Sequence, residues 1–377
     1  MIASQGRPIR VLMVTPRYFP AIGGVETHVD QVARRLVHSG AAVTILTTDR
    51  TGELPPREER DGVIIERVRA WPAQRDYYFA PGLWRIIRRG GWDLVHCQSY
   101  HTLVAPLAML AAQRARLPYV VTFHGGGHSS RLRNALRSVQ WAMLRPLLAR
   151  AARLVAIARF EIALYGQRLR LPAERFVLIP NGADLPTISE SSAAPTDERL
   201  IVSIGRLEQY KGHQRLIAAL PHVLQRCPDV RLRIVGSGPY EAELRRLADQ
   251  LGVADRVEIG GIPPTERHAM AETIAGAALV TLLSDYETHP IAALEALSLG
   301  RPVLVTDTSG LGELASRGWA RAIPLKSAPA EVADAILDQL RQPLIPPAIQ
   351  LPSWDDCAAE LLALYGSLIA RPSSCAS

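Results

Sequence analysis

The chain has 377 residues, enough for two domains of ordinary size, with 43 Lys+Arg against 36 Asp+Glu and a formal net charge of +7. No uninterrupted apolar run approaches the roughly 20 residues of a bilayer span, so the composition reads as a soluble globular protein. The four cysteines (Cys97, Cys227, Cys357, Cys375) are scattered with no Cys-x-x-Cys pair, which argues against structural zinc or a disulfide frame and points to a reducing cytosol.

The charge is uneven. Residues 1–180 carry 26 Lys+Arg and 12 Asp+Glu, a net of +14; the remainder carries 17 and 24, a net of −7. This asymmetry points to an anionic partner for the first half. Nucleic acid is unsupported, since no helix-turn-helix, zinc-finger or aromatic RNA-binding signature occurs. An anionic membrane leaflet or a phosphate-bearing acceptor fits better.

The start lacks a signal-peptide apolar core and leads into a strand predicted over residues 10–15. The following loop holds Gly23-Gly24, either a flexible turn or a close approach of backbone to phosphate, and opens a helix over residues 25–39. It is not G-x-G-x-x-G, so the dinucleotide fingerprint fails. Further strands are predicted at residues 42–47, 63–68, 94–97 and 119–122. His124 follows the last of these, ahead of Gly125-Gly126-Gly127, at a strand's carboxyl end where α/β sites form. A structural hydrogen-bonding role is the plainer alternative. From Asp93 to Glu161 the chain holds nine arginines and no acid, and within that span Arg131–Arg159 reads as one or two basic amphipathic helices. These would lie either on an anionic membrane or on the core with a basic outer face. Strands at residues 154–157 and 176–179 close the first half.

A polar, Ser-rich, proline-bounded stretch near residues 184–199 reads as an interdomain linker. Strands then alternate with helices: strands at 200–204, 231–235, 257–259, 278–283 and 303–306, helices at 213–227, 240–251 and 290–299. Each half is therefore a parallel α/β unit of the doubly wound kind. A last helix is predicted over residues 353–369, and the tail 371–377 is expected to be disordered.

Three loops of the second half carry chemistry. Arg206 and Lys211 follow its first strand; lysine occurs only twice in the chain, at Lys211 and Lys326, against 41 arginines, so a retained lysine suggests a point charge for one phosphate oxygen. Gly238 sits in a Gly-Ser-Gly turn that is either tight packing or a nucleotide contact. Glu287 precedes, and Glu295 lies within, a helix beginning at Pro290, whose exposed Ile291 and Ala292 N–H groups would favour an anion. Two carboxylates flanking an anion site suit a sugar, a diphosphate and a ribose.

Together, Gly23-Gly24-Val-Glu-Thr-His28, Thr122-Phe-His-Gly125, Ile179-Pro-Asn-Gly-Ala-Asp184, Gly205-Arg-Leu-Glu-Gln-Tyr-Lys-Gly212, Val235-Gly-Ser-Gly-Pro239 and Glu287-x7-Glu295 resemble glycosyltransferase family 4 from about residue 9 to 370. The resemblance implies a GT-B fold: two Rossmann-like domains facing across a cleft, residues 1–184 for the acceptor and 198–345 for the nucleotide sugar, with a C-terminal helix within 346–370 crossing back. It implies a retaining hexosyl transfer. Arg206, Lys211, Gly23, Gly24, Ile291 and Ala292 would contact the donor phosphates. Glu295 would hold the ribose, Glu287 the donor sugar, His124 would lie near the transferred sugar and Gly238 near the donor. No Asp-x-Asp occurs, and preorganised cations can stabilise the leaving diphosphate, so no divalent metal and no cofactor are expected. Thr288-His289 stand where the family often has Phe-Gly, which leaves the donor sugar open; a UDP-sugar is favoured, GDP-mannose next. The acceptor is expected to be saccharide or lipid-linked, as in envelope or exopolysaccharide synthesis, with its pocket near His96, Tyr100, His124 and His128. A small natural-product acceptor, a phosphorylase or epimerase relative, and a non-catalytic binder are the alternatives. The expected location is cytoplasmic, on or near the inner face of a membrane.

Overall fold

A computed structural model of the chain describes residues 7–21, 23–72, 78–125, 131–183, 197–263, 266–347, 349 and 351–370, without the side chains of 131–138 and 198. Gly126, Gly127, His128, most of the linker and the tail lie outside the described residues. The chain divides into two compact units: Met1–Gly125, Leu132–Gly182 and Pro352–Ser377 form one, Gly126–Arg131 and Ala183–Leu351 the other.

The first unit runs β1 (Arg10–Val14), α1 (Gly24–His38), β2 (Ala42–Asp49), β3 (Arg57–Arg60), β4 (Val63–Arg69), α2 (Gly82–Arg89), β5 (Leu94–Gln98), α3 (Val104–Arg114), β6 (Tyr119–Thr122), α4 (Arg131–Ala149), β7 (Arg153–Ala156), α5 (Arg159–Leu169) and β8 (Phe176–Leu178). Its sheet has the order β3-β4-β2-β1-β5-β6-β7-β8, parallel except for β3 against β4. Helices cover both faces, so the central strands are apolar nearly throughout. β5 is buried along its whole length yet carries His96 and Gln98, which must therefore find partners inside the protein. The sequence reading has no strand at β3: four charged residues show no apolar alternation, and only an edge strand can carry them. The segment from Arg131 to Arg159 is one helix, then β7, then the first residue of α5, rather than helix throughout.

The second unit runs β9 (Asp197–Ile204), α6 (His213–Leu224), β10 (Arg231–Val235), α7 (Glu241–Gln250), β11 (Val257–Gly260), α8 (Arg267–Ala275), β12 (Ala277–Leu282), α9 (Ile291–Ser298), β13 (Val303–Thr306), α10 (Ser309–Ser316), β14 (Arg321–Ile323) and α11 (Pro329–Arg341). Its sheet, β11-β10-β9-β12-β13-β14, is parallel at every pairing. Strands are added outward from β9 to β11, and then the chain returns to the other side of β9 at β12. The gap between the carboxyl ends of β9 and β12 is thus a topological switch point, where α/β sheets open a crevice for ligands.

The final helix, α12 (Trp354–Ile369), rejoins the first unit. Ser353 caps it, its hydroxyl accepting from the Asp356 N–H at 3.1 Å. Trp354, Cys357, Leu361 and Tyr365 pack with Val29, Val32, Ala33 and Leu36 of α1 in one cluster. Among the described residues no helix is long and apolar enough to cross a membrane.

Candidate active site

The second unit's switch point is bordered by two loops, residues 205–212 after β9 and 283–290 after β12. Gly212 lets them touch: it has φ +79°, and a Cβ there would lie 1.8 Å from the Leu283 carbonyl oxygen. The Asp285 N–H donates to the Tyr210 carbonyl at 2.7 Å, and Arg215 donates to the Leu283 carbonyl at 2.6 Å. Lys211 Nζ donates to Glu287 Oε1 at 2.5 Å, and the Ser284 hydroxyl reaches the same oxygen at 3.0 Å. The backbone of Glu287 is fixed as well, its N–H donating to Ser309 Oγ at 2.9 Å and its carbonyl accepting from the Gly310 N–H at 2.8 Å. Arg206 donates to the Tyr210 hydroxyl at 2.6 Å and pairs with Glu208 at 3.0 Å, its side chain 64% exposed. Lys211, Glu287 and Arg206 therefore meet at the carboxyl ends of β9 and β12.

His213 stands behind this loop and carries no role in the sequence reading. It is buried; Ser203 Oγ lies 2.9 Å from its Nδ1, and its Nε2–H points at the Arg206 carbonyl, 3.3 Å away. Burial lowers its pKa to about 4, so the ring is neutral at physiological pH and pins the loop to β9. Gly238 is closely packed: with φ +157°, a Cβ there would sit 2.5 Å from the Leu207 carbonyl oxygen. Its turn braces the Arg206 loop through Leu207 N–H to Ser237 O at 2.9 Å.

α9 begins one residue later than expected, with Pro290 as its N-cap. The Ile291 N–H is not exposed for an anion: it donates to the His289 carbonyl at 2.9 Å, closing a tight turn that the proline imposes. Ala292 takes no part in that turn. Thr288 is buried and His289 half-buried. Glu295 is 4% exposed and paired with Arg267 of α8, a partner the sequence could not supply because the two residues meet only through packing of α8 on α9. Burial raises the Glu295 pKa, and the Arg267 charge opposes the rise.

In the first unit the switch point lies between β1 and β5. Gly23 is the N-cap of α1 and Gly24 its first residue. A Cβ on Gly24 would meet nothing within 4 Å. The Glu26 carboxylate folds back over Gly23 and pairs with Arg17 at 3.4 Å, so an acid already stands at this helix terminus. His124 is 7% exposed, with φ +38°; its Nε2 lies 2.7 Å from Gln98 Oε1, and the ring of His28 stands edge-on at 4.6 Å. Burial, and then the neighbouring histidines, hold its pKa well below the usual value, so it acts as a neutral hydrogen bonder. His96 and Tyr100 lie in the interior of the first unit. Both are buried, and the His96 ring nitrogens are engaged by Tyr365 and Thr122.

Residues 22–186 match the family model described as Glycosyltransferase Family 4, and residues 184–348 match Glycosyl transferases group 1. The chain is 28% identical over 394 residues to D-inositol 3-phosphate glycosyltransferase 1 of Catenulispora acidiphila, covering 92% of this chain and 91% of that one. It is 28% identical over 379 residues to Phosphatidyl-myo-inositol mannosyltransferase of Mycolicibacterium smegmatis, covering 95% and 93%. In fold it is similar to the sucrose-phosphate synthase of Thermosynechococcus elongatus, with a TM-score of 0.76 at 21% identity over 96% of this chain and 99% of that one.

Proposed function

The chain belongs to glycosyltransferase family 4 and is a transferase of GT-B fold, and from that premise we propose that it moves a hexosyl group from a nucleoside-diphosphate sugar, with retention and without a divalent metal. The observation that carries this reading is the Lys211–Glu287 pair beside Arg206 at the switch point of the second unit. As the anomeric C–O bond breaks, its electron pair goes to the departing β-phosphate oxygen. Lys211 and Arg206 neutralise that charge from a fixed loop, the task a metal performs in other transferases. Glu287, steadied at Oε1 by Lys211 and Ser284, accepts hydroxyls of the donor sugar. Glu295, paired with Arg267, accepts the ribose hydroxyls. The acceptor hydroxyl attacks from the face that the phosphate leaves, and its proton passes to the departing phosphate oxygen, so the anomeric configuration is kept.

A phosphate-bearing polyol or lipid-linked acceptor suits the +14 of residues 1–180, and the names of both curated relatives specify phosphorylated inositols. UDP-hexoses are the first donors to test and GDP-mannose the second. Thermal shift against both series, then donor hydrolysis and transfer in excess EDTA, tests the reading. Full activity in EDTA is expected, with loss of about a hundredfold or more in Lys211→Ala and Glu287→Ala. Abolition by EDTA with rescue by Mg²⁺ overturns metal independence, and unimpaired variants overturn the site.

Contact with an anionic membrane through α4 is a second proposal. Val139 and Met143 are 57% and 75% exposed, and Arg145 near the helix end and Arg150 just past it are exposed as well. Sedimentation with anionic but not neutral liposomes is expected; no sedimentation with either removes the proposal.

A further inference from the structure

A chain of buried polar groups joins the C-terminal helix to His124. The Tyr365 hydroxyl of α12 lies 2.6 Å from His96 Nδ1, and Gln98 Nε2 lies 3.3 Å from the same nitrogen. His96 Nε2 lies 2.7 Å from Thr122 Oγ1. Gln98 turns its other end, Oε1, to His124 Nε2 at 2.7 Å. Tyr365, His96, Gln98 and Thr122 are all fully buried, so each donor must be satisfied within the set.

The directions follow from the phenol. Among the described residues its hydrogen-bond partner is His96, and burial pushes its pKa well above the usual value, so it stays protonated and donates. His96 Nδ1 is then an acceptor, and its proton sits on Nε2, facing Thr122. Because Nδ1 accepts, the end of Gln98 that faces it must be the amide NH₂. Gln98 therefore presents its oxygen to His124, and His124 must carry its proton on Nε2. The ring is neutral, which leaves Nδ1 with an open lone pair. The same helix supports His124 from a second side: Trp354 stands edge-on to His28 at 5.8 Å, and His28 stands edge-on to His124 at 4.6 Å.

We propose that Tyr365 is a positioning residue which, through His96 and Gln98, sets the tautomer of His124 and presents its Nδ1 as an acceptor to a hydroxyl of the transferred sugar. The inference rests on the reading that His124 borders that sugar. In the opposite tautomer the ring would offer an N–H to the same hydroxyl and reverse the hydrogen bonds that orient the sugar. Without the phenol, Gln98 can turn over, His96 can take either tautomer, and His124 follows.

Nitrogen-15 NMR of the full-length protein labelled at histidine separates protonated from bare ring nitrogens, and His124→Gln assigns the signal. A protonated Nε2 and a bare Nδ1 are expected at His124. In Tyr365→Phe the His124 signal should shift toward the mixed tautomer, with kcat for transfer down about tenfold and donor KM within twofold. Gln98→Leu should release the tautomer with Tyr365 intact, and stands in if Tyr365→Phe fails to fold. A wild-type His124 protonated on Nδ1 overturns the inference. So does an unchanged tautomer in the variants, even with lower activity, since that makes Tyr365 merely structural. The NMR arm needs no donor, so failure of the wild type to transfer sugar overturns the proposed reaction and leaves the tautomer result to be judged alone.

Discussion

Lys211 ends 2.5 Å from Glu287, and the loop that places it there is held by a histidine with no sequence signature. His213 is a lone histidine at the start of a helix, and nothing in its neighbours announces that Ser203 and the Arg206 carbonyl will close on its two nitrogens. The rarity of lysine made Lys211 visible; His213 needed the packing of α6 on β9. Its pKa of about 4, set by burial, has a consequence of definite sign. Between about pH 6.5 and 4 the unfolded chain takes up a proton that the folded ring refuses. The contribution is fully present above about pH 6.5 and falls as the pH drops toward 4, by about 1.4 kcal/mol per pH unit. Protonation would also put an N–H against Ser203 and bury a positive charge near Lys211. The melting midpoint of the free protein should fall from pH 7.5 to pH 5, and His213→Gln should flatten that dependence. The same pH dependence of the melting midpoint in His213→Gln as in the wild-type protein would remove His213 as its source.

At the scale of elements, strand order was not legible, although the strands were. Short apolar runs alternating with helical patterns marked twelve of the fourteen described strands to within a few residues of their observed bounds, because a strand buried on both faces has few polar options. β3 and β14 escaped, one charged and the other three residues long. Arg267 opposite Glu295 was hidden because it depends on a neighbour outside the local pattern, and the turn that occupies the Ile291 N–H was hidden because Pro290 caps the helix rather than starting it. The glycines separate by the same logic. Gly212→Ala meets backbone at 1.8 Å with φ +79°, so it should lower the melting midpoint and donor binding together, at a cost of about 1–3 kcal/mol. Gly24→Ala meets nothing within 4 Å, so the fold should accept it. Transfer lost at an unchanged melting midpoint in Gly24→Ala would mark a ligand's approach to that backbone. Unchanged transfer would make the Gly24 turn a matter of flexibility and drop it from the donor site.

At the scale of the whole molecule, the chain leaves the first unit at Gly182 and re-enters it at Pro352, and these two points lie against each other. A Cβ on Gly182 would come 2.2 Å from the Trp354 N atom, which explains a glycine in a position the sequence presented only as part of a motif. α12 brings four buried side chains, Trp354, Cys357, Leu361 and Tyr365, onto α1. At about 1.5–3 kcal/mol for each large apolar side chain, their burial is comparable with the roughly 5–15 kcal/mol by which a domain is stable at all. Residues 1–182 expressed alone should therefore fail to give a cooperative melt. The same residues joined by a short glycine-serine linker to 352–370 should regain one, because the two ends to be joined are already adjacent. If the fragment without α12 melts cooperatively at the midpoint of the spliced form, α12 is not part of the first unit's core. If only the spliced form does, the last helix belongs in folding to the unit that begins the chain, and the second unit is inserted between Gly182 and Pro352.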